Sequence, residues 1–137
     1  NPAVIEWGCE TASIQYRNPA AVDLDACRKY NVSPLDPMNW PIHNYYPDFY
    51  LEIRADDDED GTKTKKLFVE IKPKYQTERP TPPPVGAKLQ EQKRFNEAAR
   101  TYLQNDAKWK AAIAWCQDRG IEFKVFTEVT LQKMGII

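Results

Sequence analysis

Asp48, Glu70 and Lys72 are the residues of this 137-residue chain whose types and spacing suit a chemical step. Pro47-Asp48 is followed, after 21 residues, by Glu70-Ile71-Lys72. Two carboxylates can hold a hard divalent cation such as Mg²⁺ or Mn²⁺, which takes oxygen ligands and keeps several of its waters. Such a cation polarises a phosphate and lowers the pKa of an attacking water, and a nearby ammonium stabilises the charge that develops. Those are the needs of phosphodiester cleavage. Residues two apart on a strand share a face. Glu70 and Lys72 should therefore project together while Ile71 packs inward, its carbonyl left as a further metal ligand. An ordinary half-exposed strand alternates charge in the same way, so the triplet alone decides nothing. The Pro-Asp at the head of a second amphipathic strand, and the basic segment that follows, bring the two readings level.

Two adjacent strands are needed to present these groups. Tyr46 to Arg54 alternates, with Phe49, Leu51 and Ile53 on one face and Asp48, Tyr50, Glu52 and Arg54 on the other. Lys66 to Lys72 does the same, with Leu67, Val69 and Ile71 opposed to Phe68, Glu70 and Lys72. The acidic run Asp56 to Asp60 and Gly61 between them predict a solvated turn. Antiparallel pairing across it is expected to set Asp48 opposite Lys72 and diagonal to Glu70, about 7–8 Å apart at Cα.

The remaining chain predicts an α/β arrangement as one domain over 1–137. Val4 to Trp7 and Ser13 to Arg17 suggest a hairpin. Residues 20–44, broken by Pro34, Pro37 and Pro41, suggest a long surface insertion with a short helix over Ala21 to Tyr30, its Tyr30, Leu35, Met38 and Trp40 either exposed for a protein partner or folded back onto the domain's own sheet. Arg79 to Pro84 is proline-rich and should be an extended spacer. Two helices are expected next. Gly86 to Asn105 carries Leu89, Phe95, Ala99, Tyr102 and Leu103 near one stripe. Asp106, as N-cap, opens a second that runs to Arg119, buries Trp109, Ala112, Ile113 and Cys116, and closes at Gly120. Ile121 to Thr127 reads as a last strand and Thr127 to Met134 as a last helical turn.

Charge fits a nucleic-acid partner only once its distribution is considered. The net charge is −1, yet the run Asp56 to Asp60 holds five of the 20 acidic residues, and the rest of the chain is basic. Between Lys63 and Arg100 ten Lys and Arg face four Glu. Lys74, Gln76, Lys88, Lys93 and Arg94 are candidate phosphate contacts, with ordinary solvated side chains as the alternative. The three cysteines, Cys9, Cys27 and Cys116, form no CxxC pair, and His43 is the sole histidine, so free thiols are expected rather than a zinc site. No stretch approaches the roughly 20 apolar residues of a membrane span, and no membrane partner is expected.

Pro47-Asp48 and Glu70-Ile71-Lys72 resemble the PD-(D/E)xK motif of the restriction-endonuclease-like superfamily. More closely, Val4-Ile5-Glu6-Trp7, Tyr46-Pro47-Asp48-Phe49-Tyr50, Val69-Glu70-Ile71-Lys72-Pro73-Lys74 and Gln76 are similar to the head completion nucleases of T-even-like tailed phages. Trp109, Trp115-Cys116, Phe123 and Thr127-Glu128 extend the likeness over nearly the whole chain. The resemblance implies a restriction-endonuclease-like mixed sheet flanked by helices and Mg²⁺-dependent cleavage of double-stranded DNA by Asp48, Glu70 and Lys72. It also implies a place in the virion head–neck region beside portal or neck proteins, after assembly in the host cytoplasm. It further implies a helix ahead of Val4 carrying another active-site Glu. The sequence as given starts after that position, so either the segment lies upstream of Asn1 or the acid is lacking, with Glu6 and Glu10 as weak substitutes. Two alternatives share these residues: a structural virion plug or adaptor with little or no activity, and a transposon end-cleaving nuclease.

Overall fold

The structure, a computed structural model, describes residues 4–9, 12–54 and 63–135, with the backbone only of Ile5. The acidic loop and Glu10 fall outside the described residues. A mixed four-stranded sheet forms the frame, in the order β1 (Val4–Cys9), β4 (Phe49–Arg54), β5 (Thr64–Ile71), β6 (Glu122–Phe126). β4 runs antiparallel to both of its neighbours, β1 and β5, and β6 runs parallel to β5. Parallel neighbours need a long crossover, and α2 (Leu89–Gln117) supplies it. A separate two-stranded sheet pairs β2 (Ile14–Arg17) with β3 (Ile42–Tyr45). α1 (Leu24–Tyr30) lies in the connection between them, and α3 (Glu128–Lys133) follows β6.

Both strands expected to carry the candidate groups are present, but in a different register. Phe49 pairs with Val69, Tyr50 with Phe68 and Leu51 with Leu67. That register is two residues from the one expected. A two-residue slip returns every side chain to its own face, so alternation could fix the faces without fixing the pairing. The expected hairpin of the first two strands does not form. β1 instead lies on the edge against β4, and β2 pairs with β3. Alternation identifies a strand without identifying its partner. β3 falls inside the segment read as a surface insertion. That segment also carries α1, capped by Asp23, and a short 3₁₀ turn at Pro37–Asn39.

The two expected helices are one helix of 29 residues. No Gly or Pro interrupts it, and Asn or Asp inside a helix costs only a few tenths of a kcal/mol to about 0.7 kcal/mol each. Asp106 offsets this through a 2.8 Å pair with Lys110 one turn on. The helix ends as expected: Gly120 adopts φ +67°, and the Ile121 amide returns to the Cys116 carbonyl at 2.9 Å. Its first turns leave Leu89 exposed, and Ile113, expected in the core, faces outward.

The middle and end of α2 make the core. Ile14, Tyr16, Tyr45 and Ala112 are buried together, with Ala107, Trp109, Ala111, Trp115 and Phe123 packed around them. The cluster therefore joins the small sheet, the helix and β6. Burial pushes the nearby Cys116 thiol up to about 11, with Arg119 pulling it slightly back. A thiol raised in the folded state adds stability in full below its unfolded value near pH 9, and loses it as pH rises toward the folded one. Urea unfolding at pH 8 and pH 10 should thus show wild type losing about 1 kcal/mol more than Cys116→Ala over that interval. Equal losses would place the thiol in water.

Candidate active site

Pro47, among the most completely buried side chains, leads the chain into β4 and fixes the backbone just before Asp48. Continuing the β4–β5 register by one residue sets Asp48 beside Glu70. Asp48 Oδ2 accepts a hydrogen bond from the Ile71 amide at 3.0 Å, which ties the two strand ends together. Among the described residues Asp48 Oδ1 has no hydrogen-bond partner.

Glu70 is only 4% exposed. Its Oε2 accepts the Tyr45 hydroxyl hydrogen at 2.6 Å, and its Oε1 lies 3.3 Å from Lys72 Nζ. A buried carboxylate needs such partners, since an unpaired one is expensive. Lys72 is held by its own backbone, whose amide donates to the Phe126 carbonyl at 2.9 Å and continues the pairing with β6. Ile71 does not pack into the core as expected; it ends β5 and is 42% exposed. Both faces of β5 are buried from Leu67 to Glu70, and on the Glu70 face Phe68 packs at a tilt against Trp115 of α2.

The site is thus two neighbouring carboxylates and an ammonium at the end of a mixed sheet, under one long helix. The model of the TnsA-like endonuclease N-terminal domain matches residues 1–128. The head completion nuclease of Enterobacteria phage T4 is 31% identical over 135 residues, covering 98% of this chain and 72% of that relative. The chain belongs to the TnsA-like endonuclease family. Its fold is restriction-endonuclease-like, and the likeness to head completion nucleases drawn from the motifs holds across nearly the full chain. No solved structure matches it significantly.

Within this TnsA-like domain the donor set suits a hard cation. Asp48 and Glu70 both offer carboxylate oxygens, and Asp48 Oδ1 is open among the described residues. Two carboxylates completed by waters or phosphate oxygens match the way Mg²⁺ is usually held. A zinc set is absent from the described residues, and all three cysteines are free.

Two residues of the site are not legible in the sequence. Tyr45 ends β3, one residue past the segment read as an insertion, and comes to Glu70 from the second sheet. Burial, the Glu70 hydrogen bond and the neighbouring Glu70 and Asp48 charges hold its phenol un-ionised, far above the usual value. It acts as a fixed donor. Ile42 and Tyr45, a β-branched and an aromatic residue just after Pro41, are the available strand signal. Lys108 on α2 lies over the Tyr45 ring, its Nζ 5.6 Å from the centroid. Tyr45→Phe should cost about 1–3 kcal/mol, because the lost bond is to a charged acceptor. Urea unfolding checks this, and an unchanged midpoint would mean that Glu70 does not need the hydroxyl.

The remaining predicted contacts are dispersed. Lys74 and Gln76 lie in a 3₁₀ turn just after Lys72, where the Lys74 amide donates to Glu128 Oε2 at 2.8 Å. Lys93 and Arg94 are exposed on the first turns of α2, which Lys88 precedes as N-cap. They stand 14 or more residues before Lys108, roughly 21 Å or more along the helix. Glu6 is on the edge strand opposite Glu52, which itself pairs with Lys66, roughly 13 Å along the sheet from Glu70. The structure does not bring Glu6 to the carboxylates. His43 pairs with Asn18 at 3.2 Å and packs edge-on to Tyr16, a structural role. The clefts along α2, such as that lined by Tyr75, Gln76, Ala98 and Tyr102, lie apart from Asp48 and Glu70. An open strand end is the more accessible place for a duplex, which no narrow pocket could admit.

Proposed function

We propose that this protein is a Mg²⁺-dependent endonuclease of double-stranded DNA that also accepts Mn²⁺ and acts in phage head completion. The observation that carries the reading is the placement of Asp48 beside Glu70, with the Lys72 ammonium 3.3 Å from Glu70. Asp48 and Glu70, with the Ile71 carbonyl, would hold the cation. The cation supplies an activated water and polarises the phosphate. Tyr45 orients Glu70 by donating to Oε2, and the Ile71 amide orients Asp48. Lys72 meets the negative charge that develops on the phosphate oxygens. Lys74, Gln76, Lys88, Lys93 and Arg94 contact the DNA backbone further out.

Head completion rests on the T4 relative's name and on a likeness that spans 98% of this chain and 72% of that relative, and residence at the virion head–neck region is part of the same proposal. A second role as an adaptor on portal or neck proteins is favoured by Leu35 and Met38, which are 83% and 70% exposed. Trp40 does not join them. Its indole donates to the Pro34 carbonyl at 2.8 Å, within a cleft also lined by Leu103 and Ala107.

Incubation of the protein with linear and supercoiled duplex tests the enzymatic part. Cleavage should occur with Mg²⁺ or Mn²⁺ and stop on addition of EDTA. Cleavage that survives the chelator would remove the metal from the account, and an intact duplex under all conditions would leave the adaptor role alone.

A further inference from the structure

Lys108 is a half-buried lysine at the site whose charge has no matching partner. Lys72 pairs with Glu70, and Lys110, on the same helix, pairs with Asp106. Among the described residues Lys108 has no carboxylate within 4.0 Å and no hydrogen bond. It has the face of the Tyr45 ring, which supports a cation but satisfies none of its three N–H donors. Burial works against its charge first, the Lys72 ammonium second, while Glu70 and Asp48 favour it. The Tyr45 ring under Lys108 belongs to the same residue whose hydroxyl donates to Glu70.

A half-buried ammonium left without an acceptor is costly unless an anion arrives to meet it. Tyr45 links it to the site: the ring faces the Lys108 ammonium, and the hydroxyl holds Glu70. With Asp48 and Glu70 engaged by a divalent cation, both ammonium groups are left for a substrate anion. DNA offers one in every phosphodiester, with oxygens that accept charge-assisted hydrogen bonds.

We propose that Lys108 is a second phosphate-binding cation of this site, contacting a non-bridging oxygen of the phosphodiester held over Asp48 and Glu70. This rests on the nuclease reading above. It also assigns a reason for α2 to run unbroken through Asn105 and Asp106, since a break there would release Lys108 from Tyr45.

Lys108→Met keeps the unbranched stem over Tyr45 and removes only the charge, whereas Lys108→Arg keeps the charge. Duplex binding is read by fluorescence anisotropy in EDTA across a salt series, and cleavage is read in Mg²⁺. Lys108→Met should bind with a slope of log K against log salt shallower by about 0.9, and should cleave at least ~10-fold more slowly. Lys108→Arg should restore the slope and most of the rate. A wild-type slope and rate in Lys108→Met would overturn the proposal. So would a lost rate with an unchanged slope, which is the mark of a structural lysine. Should Lys108→Met not fold, acetylation of the wild type decides: duplex should shield Lys108 from the reagent, and equal labelling with and without duplex overturns the claim. A wild type that neither binds nor cleaves duplex is a different outcome, since it removes the nuclease reading and this proposal with it.

Discussion

Lys72→Ala should remain folded and lose more than ~100-fold of its duplex cleavage, the effect of removing one transition-state cation worth on the order of 3 kcal/mol. The side chain is partly exposed and its backbone is fixed independently through Phe126, so the strand end keeps its position. Some stability should still be lost, about 1–2 kcal/mol, because among the described residues the buried Glu70 then keeps the Tyr45 hydrogen bond but no ion pair within 4.0 Å. Circular dichroism and urea unfolding separate the two effects. Undiminished cleavage by a folded Lys72→Ala protein would mean that the Glu-x-Lys strand is structural.

Glu70→Ala should act on both levels and is expected to be the more damaging to the fold. It leaves the buried Tyr45 hydroxyl without its acceptor and Lys72 without its carboxylate. Removing one member of a buried pair costs about 3–5 kcal/mol, and partial exposure of Lys72 lowers this to about 2–3 kcal/mol. Glu70→Gln keeps an acceptor for Tyr45 and should fold nearly as well as wild type, while losing cleavage with the ligand charge. If the two variants were equally stable, Glu70 would not be the hub that ties β3 to β5.

What is legible in the sequence follows the range of each signal. Period-two alternation is local, and it identifies the faces of β4 and β5 and hence which side chains stand with Asp48 and Glu70. Partnership between strands is not local. Proximity in sequence assigns β1 to β2 although it pairs with β4, and the β4–β5 register differs by two residues from the expected one, a shift that alternation cannot detect. Tyr45 escapes for the same reason, because its strand is four residues long and lies among prolines in a segment with no clear periodicity. Lys108 escapes because the expected helix break falls at Asp106, two residues away. Asp106 is a good N-cap in isolation, but here its carboxylate pairs with Lys110. The C-terminal signals hold, from Gly120 to the capping box of Thr127 and Thr130 that opens α3.

In the proposed enzyme Asp48 and Glu70 share one divalent cation. Isothermal titration of Mn²⁺ into wild type and Asp48→Asn tests it most directly. The substitution keeps a side-chain oxygen to accept from the Ile71 amide, so the strand ends should stay joined. One binding event is expected per wild-type chain and none in Asp48→Asn at the same concentrations, with both proteins equally folded. Equal Mn²⁺ affinity in the two proteins would contradict it.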